Sequence, residues 1–165
     1  MAATLVSVYL GQGAIASRPA SPSLNPGICA FWYATDTKTL SVYDGSAWHD
    51  TGGIYDFGCV FEATPTSSEV VGRVQIGRAI TLPANMSGSS GTVATNPTAT
   101  FDIDVQDDGV SIGTISISTG GVFTFTTASG TAKSIAAGSV ITFIGPSSVD
   151  ATVAGVAVVL LATVT

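Results

Sequence analysis

The clearest pattern in the chain lies at residues 101–117. Phe101, Ile103 and Val105 alternate with Asp102, Asp104 and Gln106, the two-residue period of a strand with one buried and one wet face. Asp107-Asp108-Gly109 follows with the residue types of a tight hairpin turn. Val110–Ser118 then returns with Ile112, Ile115 and Ile117 as its apolar positions. Similar short runs continue on both sides. Phe57-Gly-Cys59-Val-Phe61 alternates in bulk, and Val70–Leu82 reads as one long strand or a strand pair interrupted by Gly72 and Gly77. Pro83 opens a polar loop through residue 99. Thr119-Gly120-Gly121 turns into Phe123 and Phe125, and Ala137-Gly138 precedes Val140–Ile144, which Gly145-Pro146 ends. No segment keeps a helical period. The expected class is therefore all-β, with residues 57–165 forming a jelly-roll-like β-sandwich.

The run Ala151–Thr165 is apolar almost throughout and carries Val153, Val156, Val158, Val159 and Val164. A membrane helix needs roughly 20 apolar residues, more than this run offers, and β-branched side chains favour strand. A buried terminal strand is expected, with no membrane insertion. The opening MAATLVSVYLGQGAIASRP has no basic cluster and no long apolar stretch, so no secretory signal is expected. Leu5–Leu10 is a candidate strand. Pro19, Pro22 and Pro26 then exclude a helix and predict an extended strap that lies on a neighbour or links two parts. An unpaired leading strand can add to another sheet, so the N-terminal segment is a candidate attachment element. A flexible tail is the alternative.

Residues 29–56 read as a small aromatic β-module. Thr35-Asp36-Thr37-Lys38 forms a turn, Leu40-Ser41-Val42-Tyr43 the returning strand, and Asp44-Gly45-Ser46 a second turn that delivers Trp48. Most of the aromatic residues fall between Phe31 and Phe61, and the two-residue period puts Trp32 and Tyr33 on opposite faces. Two roles are open for these rings. A module this small needs large rings to build any core. Exposed rings could equally stack on pyranose faces, which makes Trp32, Tyr33, Tyr43, Trp48 and Tyr55 candidate glycan-binding residues. The expected organisation is an N-terminal strand and strap at 1–28, the aromatic module at 29–56, and the sandwich at 57–165.

Composition narrows the function. Charged residues make up 10% of the 165 positions and apolar residues 45%, against about 25% charged in an average globular domain. A surface with so little charge is easiest to tolerate when it is buried in an assembly. The net charge is −6, and Arg18, Lys38, Arg73, Arg78 and Lys133 are scattered, so no phosphate-binding patch and no nucleic-acid partner are expected. Cys29 and Cys59 read as reduced, buried thiols rather than a disulfide. A zinc site would need more ligands than two cysteines and one histidine supply. His49, the lone histidine, stands beside Asp50 in a strand or turn end, and no catalytic triad is expected. Asp102, Asp104, Asp107 and Asp108 could form a carboxylate pair or a calcium loop. Gly109 falls at the wrong position for an EF-hand, and the alternation and turn chemistry favour a solvated face. Gly11-Gln12-Gly13 and Gly88–Gly91 lack the lysine of a phosphate-binding loop. No catalytic residue, cofactor or metal ligand is expected.

Two stretches carry a resemblance. WYATDTKTLSVYDGSAWHDTG, residues 32–52, resembles a small β-module that recurs in tailed-phage fibre and appendage proteins. The order of segments from residue 61 onward is similar to a jelly-roll-like domain at the C-terminus of phage and gene-transfer-agent fibre or spike proteins. Its most specific matches are Thr81-Leu82-Pro83-Ala84, the FDI-x-x-x-x-x-G-x-x-I-G hairpin, and the turn Ala136-Ala137-Gly138-Ser139. In the hairpin, Asp107-Asp108-Gly109 stands where relatives often carry a basic residue and Asn-Gly. The resemblance implies a non-enzymatic structural protein of a virion, assembled in the bacterial host cytoplasm. It implies a symmetric homo-oligomer, a trimer or pentamer, attached to other virion structural proteins through the N-terminal segment. The loops 83–99, 107–110 and 145–152 would then face a host-surface polysaccharide. A capsid decoration protein without host binding and a free carbohydrate-binding β-sandwich module are the alternatives.

Overall fold

The computed structural model describes residues 9–20, 22, 30–36, 39–50, 53–148 and 150–165. The fold is all-β, with three single-turn 3-10 segments between strands among the described residues. It divides into two compact units, Met1–Gly53 and Ile54–Thr165.

In the first unit, β1 (Tyr9–Gly13), β2 (Ala30–Ala34), β3 (Thr39–Tyr43) and β4 (Trp48–Asp50) form a sheet in that order. β1 runs parallel to β2, and the remaining pairs are antiparallel. Alternation decides the faces. Ala30, Trp32, Ala34, Ser41 and Tyr43 are buried, whereas Tyr33 and Leu40 stand exposed on the other side. The turn before β4 is held by Asp44. Its carboxylate accepts from the Ser46 and Ala47 amides at 2.8 and 2.9 Å, and Gly45 supplies the positive φ of 101°.

The described residues of the strap, 14–20 and 22, make contacts within the first unit. Ile15–Ser17 makes a 3-10 turn whose first amide donates to the Asp36 carboxylate at 3.0 Å. Arg18 donates to Ser41 Oγ at 2.8 Å and lies over the Trp48 ring at 5.1 Å, while Trp48 Nε1 donates to the Pro19 carbonyl at 2.7 Å. The described part of the strap is thus fastened across its own sheet. Pro19 and Pro22 lie outside regular structure, and a four-stranded sheet has an apolar face of its own to cover. The long Arg18 stem and the ring of Trp48 serve that purpose. Of the candidate strand Leu5–Leu10, residues 9 and 10 belong to β1, and residues 5–8 lie outside the described residues. Pro26, Cys29, Thr37 and Lys38 lie outside them too.

The second unit contains β5 (Ile54–Phe61), β6 (Val70–Gln75), β7 (Ile80–Leu82), β8 (Ser90–Thr95), β9 (Phe101–Asp107), β10 (Val110–Ile117), β11 (Phe123–Thr127), β12 (Lys133–Ile135), β13 (Val140–Ile144) and β14 (Ala154–Val164). One sheet has the order β11-β10-β9-β13-β6 and the other β12-β7-β14-β5, with β8 also on β14. All pairs in this unit are antiparallel. β8 pairs with residues 154–159 of β14 and β7 with residues 163–164, so two short strands share one edge of the long terminal strand. Phe101, Ile103, Val105, Ile115, Ile117, Ile141 and Phe143 from the first sheet pack with Ile80, Leu82, Val156, Leu160 and Ala162 from the second. This is a sandwich-like core.

Several local features follow from the sequence once pairing is known. Asp108 and Gly109 take positive φ values of 48° and 86°, the two-residue turn that asks for Asp-Gly. Ile112 and Ile115 are three apart, which would put them on opposite faces of a regular strand. A register shift between Ser111 and Gly113 absorbs the extra residue, so Ile112, Ile115 and Ile117 all face inward. The run Val70–Leu82 is a strand pair divided between the two sheets, and Gly72 lies inside β6 rather than breaking it. The segment 83–99 is less of a loop than its polar composition predicts. β8 occupies its middle because backbone pairing with β14 satisfies Ser90–Thr95, with Val93 as its one large inward side chain. β5 begins at Ile54, which assigns Tyr55 and Asp56 to the second unit.

Candidate functional site

The five aromatic candidates do not converge on one platform. Trp32 and Tyr43 are buried in the first unit, and Tyr43 packs on Trp48 with ring centroids 5.3 Å apart. Trp48 is half-buried under Arg18. Tyr55 belongs to the second unit, where it packs against Phe57 at 6.1 Å and its hydroxyl accepts from the Gly77 amide at 3.3 Å. Tyr33 alone among the five is exposed, at 40%. The period that buries Trp32 turns its neighbour outward.

A groove of about 340 Å³ surrounds that ring, lined by Gly11, Gln12, Phe31, Tyr33 and Leu40. Strand register builds it. Gln12 of β1 and Leu40 of β3 are both directly opposite Tyr33, so amide, phenol ring and isobutyl group form one row across three strands. Phe31, two residues before Tyr33, adds the next position on the same face. Among the described residues none of the lining side chains carries a charge at neutral pH. Sequence reading finds Tyr33 but misses Gln12 and Leu40, because only the pairing of β1 and β3 with β2 sets them beside it.

A second surface lies on the outward side of β5 and β14. Ile54 is 66% exposed, Val60 64% and Val159 47%. Asp56, Gly58, Val60 and Val159 line a groove of about 310 Å³ there. β14 is apolar on both faces: Val156, Val158, Leu160 and Ala162 point inward, and Ala157, Val159 and Leu161 outward. β5 is the edge of its sheet, with eight residues in unbroken register, no proline, no lysine and a single carboxylate, Asp56. β6 lies close to this strand, since a Cβ at Gly72 would run into that of Cys59. Gly58 is required in this strand, because a Cβ there would run into the carbonyl oxygen of Val158.

The carboxylates organise loops. Asp150 accepts from the amides of Thr98 and Thr152 at 2.7 and 2.9 Å and from both threonine hydroxyls at 2.7 Å, joining the loop before β9 to the loop before β14. The Thr152 and Thr98 hydrogen bonds hold its carboxyl well below the usual range. Asp44 is held low in the same way, first by the Ala47 amide and then by Ser46 and His49. His49 Nε2 lies 2.8 Å from its Oδ2. Asp108 accepts from the Val140 amide at 2.9 Å, and Asp104 from Gln106 Nε2 at 2.7 Å and Ser111 Oγ at 2.5 Å. Among the described residues no group of three or more His, Cys, Asp or Glu side chains is placed to hold a metal ion. Cys59 is a buried free thiol that desolvation pushes up to about 12.

Compared with models of protein families, with characterised proteins and with solved structures, the chain gives no match.

Proposed function

We propose that this chain is a structural component of a bacteriophage-like virion, a fibre or spike appendage that self-assembles and meets the host surface. The outward face of β5 and β14 is the observation that carries the reading. A strand apolar on both faces has the composition of one covered on both sides, yet Val159 and its neighbour Val60, and Ile54 farther along β5, are open to solvent. Exposed apolar patches of this kind mark interaction surfaces, and every square ångström covered contributes about 25 cal/mol. A second copy of the chain brings the same patch. The low charge of the whole chain agrees with a surface meant for packing. The setting comes from the resemblance of residues 32–52 and of the sandwich segments to fibre and spike proteins.

Sedimentation velocity on charge-bearing variants tests this reading. Val60→Lys and Val159→Lys put a cation on the proposed contact face, and Thr124→Lys puts one on the exposed side of β11 in the other sheet. The reading predicts smaller species for the first two and an unchanged oligomer for the third. Equal masses for all three would sink it.

A further inference from the structure

We propose that the groove at Tyr33 is a subsite for a neutral hexose unit of a polysaccharide. The inference rests on the reading of the chain as an appendage that meets a glycan surface, and it names the residues that do so. Tyr33 offers a rigid ring with one open face in the middle of a sheet. A pyranose presents a face of C–H groups that packs on the electron-rich face of such a ring, while its hydroxyls point outward around the rim. Gln12, exposed and directly across the β1–β2 register from Tyr33, carries a carbonyl acceptor and two N–H donors on one planar group. That combination suits a pair of neighbouring hydroxyls, each of which both donates and accepts. Leu40 and Phe31 supply apolar walls.

Size and charge select among ligands. The groove, about 340 Å³, sits at the lower end of the range of roughly 300–1,000 Å³ for small-molecule sites, which fits a short saccharide segment. No described lining side chain is charged, so none of them would compensate the desolvation of a sulfate, a phosphate or a uronate. A neutral sugar loses nothing by that. The buried rings Trp32 and Tyr43 hold the sheet in shape behind the groove and take no part in contact.

The test uses the ¹⁵N-labelled full chain titrated with maltotetraose, cellotetraose and chitotetraose, with a hyaluronan tetrasaccharide as the charged counterpart. At least one neutral probe should shift the amides of Gln12, Tyr33 and Leu40, and the charged probe should not. Tyr33→Ala should weaken that binding roughly tenfold, the loss of about one stacking contact. Tyr33→Phe, which keeps the ring, should retain it. Gln12→Ala alters an exposed edge position and should weaken binding with the fold intact, so it decides the matter if Tyr33→Ala disturbs the sheet. Silence from all three neutral probes, or equal binding by Gln12→Ala and Tyr33→Ala, would overturn the subsite. Light scattering on the same samples separates the two ideas. An oligomer without saccharide binding removes the subsite alone, whereas a monomer removes the assembly reading on which it rests.

Discussion

Val158 and Val159 are adjacent, chemically identical and on opposite faces of β14, so truncating each to alanine weighs the two faces against one another. Val158 is 2% exposed and faces the core between Cys59 of β5 and Gly91 of β8. Its two lost methyl groups are worth about 1.6 kcal/mol of transfer free energy at about 0.8 per carbon. The unfilled space raises the total to about 2–3 kcal/mol. Val159, with nearly half its surface already wet, should cost only about 0.8 kcal/mol in the dissociated chain. Urea denaturation followed by circular dichroism reads the second unit, whose strands dominate the signal. Both tryptophans lie in the first unit, so fluorescence follows that unit independently. Assembly adds a further signature. If copies cover the outer face, the deficit of Val159→Ala grows with protein concentration, while that of Val158→Ala stays constant. Equal deficits at low concentration would refute the assignment of faces. A Val159→Ala deficit that ignores concentration would refute the covering of that face.

Three further outcomes are expected. Gly58→Ala should destabilise the second unit by about 2 kcal/mol, because the new methyl meets the backbone carbonyl of Val158 rather than a side chain that can turn away; an unchanged urea midpoint would contradict the close approach. Asp150 has its folded pKa lowered from the ordinary 3.8, so the unfolded chain binds the proton more readily and stability falls as pH drops below about 4. Asp150→Asn should lower the melting temperature at pH 7 and flatten that acid dependence, as melting curves between pH 3 and 7 would show. Cys59, its thiol pushed up to about 12 by burial, should resist iodoacetamide at pH 8 in the folded chain and react on unfolding in urea; rapid labelling of the native chain with Cys29 replaced by serine would contradict its placement.

Much of the sandwich was legible because its strands alternate cleanly and its turns carry diagnostic residues. Phe101–Gln106 gave faces, and Asp107-Asp108-Gly109 gave a hairpin whose positive φ angles the structure displays. What escaped sequence reading depended on partners. β8 is rich in small polar residues and owes its strand conformation to pairing with β14, which local composition does not reveal. β12 is three residues long and exists through its register with β7. The strap carried proline signals for extended chain, but nothing in Arg18 or Pro19 announced the contacts with Ser41 and Trp48. The aromatic cluster was visible as a cluster. Which rings are core and which is open was decided by one-residue alternation within β2 and by the sheet order, and Gln12 entered only through parallel pairing. The outer face of β14 was legible in a different sense. Its valines predicted burial, and Val159 on the outward side is open in a single chain.

Self-assembly is the central claim, and the solution mass of the full-length chain tests it most directly. Multi-angle light scattering across a concentration series should return a discrete trimer or pentamer, which Val60→Lys converts to smaller species. A mass of 16.5 kDa that persists at the highest concentration, for the natural sequence and the variant alike, would contradict the account.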